Sequence, residues 1–421
     1  MSDSPLFVGL DIGTTKVCTL IADLDVEDPR QGKGGALRIL GVGVEPARGM
    51  RKGVVVDVEQ ASQAIAASLD KAQHSAGYEI GTAFVSLAGP HIASVNSRGV
   101  VGVGGGSHSI DQDDVDRALD AAQAVAIPHG REILHVIPRS FTVDGQDGIR
   151  QPLGMHGFRL EVEAHIITAA TASVQNLTKC VEAAGVQVEA YVLNPLASAE
   201  VTLTDTEKEM GVVVCDIGGG TTDLAIYLDG NVWHTLSLSV GGNHLTSDIA
   251  HGLRLPADVA EKVKIDYGHA SAAEVASTES FTVQPFGEDR PIPVSRADLA
   301  TIIEARVEEI FTLALQEIKR TGYDGLLPAG IVLTGGSSQL PGLRKAASEV
   351  LNLPSRVGAP QNLRGLVDKL ASPAYSTSVG LLVWAQRESL VVPRQKKKRG
   401  GPRIISMDFS KGLDLFRRLL P

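Results

Sequence analysis

Apolar positions near the start of the chain fall in two runs separated by a polar turn, so LFVGLDIGTTKVCTLIAD predicts a buried strand, a tight turn and a second strand. The same pattern returns 205 positions later, from Asp11 to Asp216, as GVVVCDIGGGTTDLAIYLDG. Each copy sets an Asp at a strand end, then Ile-Gly, then a turn closing on paired threonines, Thr14 and Thr15 or Thr221 and Thr222. A repeat at that distance predicts two related α/β lobes rather than a solenoid.

Between the copies, residues 50 to 76 carry a helical pattern ending at Ala76-Gly77. Residues 84 to 167 differ in character. They join strand-like FVSLAG, ILHVIP, SFTV and RLEVEAHIIT to one acidic amphipathic helix, IDQDDVDRALDAAQAVA, and predict an inserted small α+β domain. After the second copy, Leu245 to Tyr323 is rich in helix signals and predicts a second inserted lobe. GIVLTGGSSQLPGLRKAASEVL then reads as strand, turn and helix, and a last helix is expected around Thr377 to Glu388. VPRQKKKRGGP, from Val392 to Pro402, is polar and glycine-rich and reads as a linker.

With 43% hydrophobic and 21% charged residues in 421, the chain can bury ordinary cores and predicts two to four domains. The three cysteines, Cys18, Cys180 and Cys215, have no CxxC spacing, and no HExxH occurs, which argues against a disulfide scaffold or a structural zinc site. Cys18 and Cys215 sit in apolar strand runs and are expected to be core residues. No secretory signal pattern opens the sequence, and no apolar run approaches the ~18 residues that span a bilayer. The net charge of −10 is divided unevenly: residues 387 to 421 hold ten basic and three acidic residues, leaving −17 on the rest. Nucleic-acid binding by the body is not expected, whereas the basic tail suits an anionic surface.

Successive backbone N–H groups in a glycine turn form an anion-binding concavity, to which hydroxyls add donors. Gly13, Thr14, Thr15 and Lys16 fit that task, as do Gly218, Gly219, Gly220, Thr221 and Thr222. Asp11 and Asp216, at the preceding strand ends, are candidates to hold a hydrated Mg²⁺. Gly335, Gly336 and Ser337 follow a strand and suit close backbone approach to a nucleoside and its phosphates. GxxxxGK[ST] is absent, and the glycine run at 102 to 106 lacks a strand-to-helix GxGxxG.

DIGTTK, DIGGGTTD and LTGGSSQLPG, in that order, resemble the two phosphate motifs and the adenosine motif of the actin, sugar-kinase and heat-shock ATPase superfamily. Within it the chain is similar to the bacterial FtsA family, with GVVVDVE, PLGMHGFRLEVEAHIIT, VLNPLASAE, SVGGNHLTSDIA and YSTSVGLLVWA in agreement. The resemblance covers nearly the whole chain. It implies an α/β actin-like two-lobed ATPase fold, with the small α+β domain inserted in the first lobe and a C-terminal amphipathic helix on a flexible linker. Lobe 1 is then expected over 1–83 with 168–197 and 374–391, the inserted domain over 84–167, and lobe 2 over 198–244 with 328–373. Its own inserted lobe covers 245–327, the linker 392–407 and the membrane-targeting helix 408–421.

The resemblance further implies ATP and Mg²⁺ as ligands, Lys262 reaching the nucleotide from the smaller lobe, a plain surface lysine being the alternative, and Gly241 and Gly242 lining the other side. It implies that Arg306, helped by Arg296, binds the acidic C-terminal peptide of FtsZ, although Asp298 stands where the family has a further basic residue. Internal pairing of Arg306 with Glu304, Glu309 or Asp298 is the alternative. In related rod-shape actins a Glu is thought to position the attacking water; the matching residue here is Asn194. An amide is no general base, so at most slow ATP hydrolysis is expected, no catalytic residue is assigned, and Asp223 or Glu200 is the conceivable substitute, with a solvated role the alternative for Glu200.

In DFSKGLDLFRRLL, ~100° per residue gathers Phe409, Leu413, Leu415, Phe416, Leu419 and Leu420 on one arc, with Lys411, Arg417 and Arg418 opposite. Asp408 stands at the N-cap. A helix of this kind is expected to lie on anionic lipid, with docking on the protein's own body the alternative. The family reading is an ATP-binding protein that polymerises on the cytoplasmic face of the cell membrane at the division site. There it ties the FtsZ ring to the membrane and recruits later division proteins. A small-molecule kinase lacks a cleft carboxylate base in this sequence, a heat-shock ATPase would continue into a β domain, and a pilus-assembly homologue gives no reason for a detached amphipathic end.

Overall fold

The computed structural model describes residues 5–25, 36–104, 106, 108–124, 127–361, 363–391 and 405–406. The amphipathic stretch at 408–420 lies outside them.

Both predicted strand–turn–strand copies are hairpins, and each sits in the middle of its own sheet. Phe7–Ile12 pairs antiparallel with Lys16–Asp25 and parallel with Thr82–Leu87, in the sheet order 187–193, 82–87, 7–12, 16–25, 36–46, 364–365. Val212–Ile217 pairs antiparallel with Thr222–Leu228 and parallel with Ile331–Thr334, in the order 231–238, 222–228, 212–217, 331–334, 355–357. Each first strand is buried at all six positions, as expected of strands covered on both faces.

Two helices run between the lobes. Asn194–Thr202 and Ser376–Val391 pack closely, because Gly380 has no side chain to meet Ala197: a Cβ there would lie 1.9 Å from the Ala197 carbonyl oxygen. Cys18 and Cys215 are fully buried in their strands.

The inserted domain forms a third sheet, with Arg131–Val143, Arg159–Ala170 and Ile92–Gly102 antiparallel and the helix Gln112–Gln123 on one face. Asp111 caps that helix by accepting from the Asp114 amide. Ile405–Ser406, within the stretch expected as linker, pairs parallel with Arg131–Val143.

Two expectations are revised. The helix begins at Val58 rather than near residue 50, since Lys52 (φ 49°) and Gly53 (φ 75°) turn Met50–Arg51 back onto Val54–Val55 and Asp57 caps the helix start. Arg364–Gly365, in the range expected for lobe 2, pairs instead with Ala36–Pro46 of lobe 1, and Leu370 is buried among Phe7, Leu20 and Leu382.

Candidate functional site

A cleft of about 450 Å³ opens between the lobes, within the size range of small-molecule sites. Asp11, Gly13, Thr14, Thr15 and Lys16 line it from lobe 1, and Asp216, Gly218, Gly219, Thr221 and Asp223 from lobe 2. Gly242, Gly335, Gly336 and Ser337 also line it. The sequence repeat therefore brings two glycine turns face to face. Their approach is close: a Cβ on Gly219 would stand 2.0 Å from the Thr15 hydroxyl, and one on Gly220 2.5 Å from that of Thr14. Gly241 packs on the carbonyls of Gly218 and Thr221, which places it behind the turn rather than on the cleft wall. Thr222 is also behind it, fully buried, with its hydroxyl donating to the Val240 carbonyl at 2.8 Å.

Both strand-end carboxylates are buried and oriented by hydroxyls. Ser86 and Ser378 donate to Asp11 at 3.0 and 2.7 Å, and Thr377 donates to Asp216 at 2.8 Å. Burial pushes Asp216 up to about 6, with the neighbouring Asp11 charge acting the same way against the Thr377 hydrogen bond. Asp223, cross-strand from Asp216, is pushed up to about 7, chiefly by burial. Asp11, Asp216 and Asp223 gather at one cleft, with the Lys16 charge acting on Asp216, and offer oxygen ligands that a hard divalent ion takes together with retained waters. Magnesium and phosphate fit the cleft in this sense: Asp11 and Asp216 would hold the ion, and the turn amides the anion. A bound ion would supply positive charge there to neutralise phosphate.

Lys16 donates to the Ala374 carbonyl and lies 4.5 Å from the Tyr375 ring centre. Asn194 lines the cleft at the start of its helix, and its Oδ1 is buried without a hydrogen-bond partner among the described residues. Glu200 is neither solvated nor in the cleft. Its side chain is 8% exposed and joins Arg387 at 2.6 Å and Lys208 at 3.9 Å.

Lys262 does not belong to the wall. It is exposed, and Lys264 lines the cleft instead, donating to the Gly242 carbonyl at 3.1 Å, the Thr246 hydroxyl at 2.9 Å and Glu261 at 2.7 Å. Two residues along a helix is ~200° around its axis, so only one of these lysines faces the ligand space.

Arg306 and Arg296 lie outside the cleft on the helix Arg296–Thr321. Arg306 makes a two-pronged pair with Asp248, Nε to Oδ2 at 2.6 Å and Nη2 to Oδ1 at 2.9 Å, and also meets Glu309. Of the partners expected for it, Glu304 instead accepts from the Ala272 amide at 3.3 Å. Arg296 joins Glu279 and donates to the Tyr267 carbonyl at 2.8 Å.

Sequence reading missed the hydroxyls of the last helix. Ser376 meets Thr334 at 2.7 Å, Thr377 meets Asp216 and Ser378 meets Asp11, so three successive residues join the three ligand motifs. The available signal was a Ser-Thr-Ser run at the head of an apolar helix.

Two hairpin-centred sheets, each ending its first strand in an aspartate over a glycine turn, with the cleft between them, define an actin-like protein. Among solved structures the chain is similar to the PilM-PilN type IV pilus biogenesis complex (TM-score 0.64, 16% identity, 90% of this chain and 98% of that one). It is also similar to MreB5 of Spiroplasma citri bound to ADP (TM-score 0.53, 15% identity, 92% and 96%). The family model described as cell division protein FtsA matches residues 213–380, and that of the SHS2 domain inserted in FtsA matches 89–168. Cell division protein FtsA of Pseudomonas aeruginosa is 44% identical over 385 residues, 91% of this chain and 90% of that protein. That of Escherichia coli is 36% identical over 405 residues, 94% of each. The chain belongs to the FtsA family of cell division proteins. Among the described residues no helix is long and apolar enough to cross a membrane.

Proposed function

We propose that this chain binds ATP with Mg²⁺ between its lobes and polymerises on the cytoplasmic face of the cell membrane, where it tethers the FtsZ division ring and recruits later division proteins. The observation that carries the reading is the pair of facing glycine turns, each beside a buried strand-end aspartate, at one cleft. Nucleotide then acts as a brace across both lobes. With Asn194 in the place of an acid or base, turnover is slow, well below the ~1 to 10³ s⁻¹ of metabolic enzymes.

Membrane attachment falls to Phe409, Leu413, Phe416 and Leu420, with Arg417 and Arg418 facing lipid headgroups. Basic residues contribute about 1 kcal/mol each on anionic membranes, and the ordering of a short helix offsets much of its apolar burial. One tail therefore binds weakly, and a filament bearing many binds tightly. Pelleting with anionic vesicles, with and without ATP, tests this: the parent pellets with ATP, whereas Phe416→Glu stays in solution while still binding ATP. Full pelleting of that variant would overturn the anchor.

A further inference from the structure

We propose that Ser237 is a positioning residue that ties the cleft carboxylate Asp223 to the seating of the inserted domain on the second lobe, so that filling the cleft alters how that domain is held. The inference rests on the nucleotide reading above and extends it to a second part of the molecule.

Asp223 and Ser237 are cross-strand partners, and the Ser237 hydroxyl donates to Asp223 Oδ1 at 2.5 Å. That hydroxyl has one proton, which is thereby committed. Its lone pairs accept the Gly89 amide at 3.1 Å, and Gly89 is the residue at which the inserted domain begins. Gly89 cannot shift freely: its φ is +131°, and a Cβ would lie 3.0 Å from both the His91 ring and the Lys52 carbonyl. On the other side, Asp223 Oδ2 accepts from the hydroxyl of Thr221, a residue of the second glycine turn that lines the cleft. A ligand that draws on Thr221 or Asp223 changes the acceptor that orients Ser237. Buried hydrogen bonds in a chain polarise one another, so a change at the carboxyl is felt at the next link.

The strand bearing Ser237 is also the one on which the inserted domain rests. Ser94 donates to the Thr235 carbonyl at 3.1 Å, His165 meets the Thr235 hydroxyl at 2.9 Å, and Asn231 donates to the Arg139 carbonyl at 3.1 Å. The Arg139 guanidinium lies 4.0 Å from the centre of the Trp233 ring. A small reorientation at Ser237 therefore meets a docked surface rather than solvent. Linkage makes the effect reciprocal: what seats the domain also alters ligand affinity.

The test is amide hydrogen exchange over 92–102 and 231–238 in the full chain, with and without ATP and Mg²⁺ at concentrations shown by direct binding to saturate each protein. In the parent, ATP changes exchange at the 92–102 amides by about fivefold or more, the low end of a coupling between sites. Ser237→Ala loses that change and Ser237→Thr, which keeps the hydroxyl, restores it. Asn231→Ala speeds basal exchange yet keeps the ATP-dependent difference, which a merely structural role for Ser237 would not separate. A parent that binds ATP without any change over 92–102 overturns the coupling whether or not the variants fold, and so does an undiminished response in Ser237→Ala. A parent that binds no ATP overturns the nucleotide reading and the coupling together.

Discussion

Ser378 and Asp11 stand 367 positions apart in the chain and 2.7 Å apart in the fold, the serine hydroxyl donating to the carboxylate that ends the first strand. Thr377 does the same for Asp216, so one turn of the last helix holds the corresponding aspartate of each lobe. A helix start also presents its positive end there, which favours nearby negative charge.

Removing either hydroxyl leaves a buried carboxylate oxygen short of a donor. Thr377→Val and Ser378→Ala are each expected to cost ~1 to 3 kcal/mol in urea unfolding. Thr377→Ser recovers most of it. Unchanged midpoints in both variants would show that these contacts hold nothing.

Gly219→Val places a side chain where the Thr15 hydroxyl now lies, only 2.0 Å from the new Cβ, and pushes the two turns apart. Asp216→Ala removes the candidate ion's anchor. Titration with a fluorescent ATP analogue is expected to show at least a tenfold loss in each, ~1.4 kcal/mol or more. Parent-like affinity in both variants would sink the site.

At Arg306, the proposed FtsZ surface is already occupied by Asp248 and Glu309. An acidic peptide must compete with them. Asp248→Asn is therefore expected to tighten peptide binding, and Arg306→Glu to weaken it while ATP binding persists, because reversal adds a third carboxylate to two. Peptide affinity indifferent to both changes would move the partner surface elsewhere.

Below neutral pH, buried groups bias stability in opposite directions. Burial lowers His135 to about 4 and His165 to about 3, below the usual value of 6.5, so the unfolded chain binds more protons and stability is lost as pH falls from 6.5 toward those values. Asp223, raised to about 7 from 3.8, acts in reverse: the folded chain holds its proton longer, and stability is lost as pH rises through that window. Melting temperatures between pH 4 and 7 without metal should thus rise less steeply with pH in His165→Gln and more steeply in Asp223→Asn. The opposite order of slopes would refute the assignment.

The ligand turns were legible in the sequence because they are local: an apolar strand, an Asp at its end and glycines in a hairpin are all set within about fifteen residues, and the second copy repeats them. The inserted domain was legible for a related reason, as its alternating strands and acidic helix contrast with their surroundings. What only the tertiary structure decided is contact between distant segments. Lys264 rather than Lys262 faces the cleft because helix phase is set by the apolar side that packs, here Ala260 and Val263. Ser376, Thr377 and Ser378 acquire partners only once both sheets are in place, and Ser237 acquires the Gly89 amide only once the inserted domain is seated on its strand. Strand propensity and glycine turns act over a few residues and leave a pattern in sequence; a hydroxyl that satisfies a buried carboxylate 367 positions away leaves none, since any serine looks the same until packing brings its acceptor within reach.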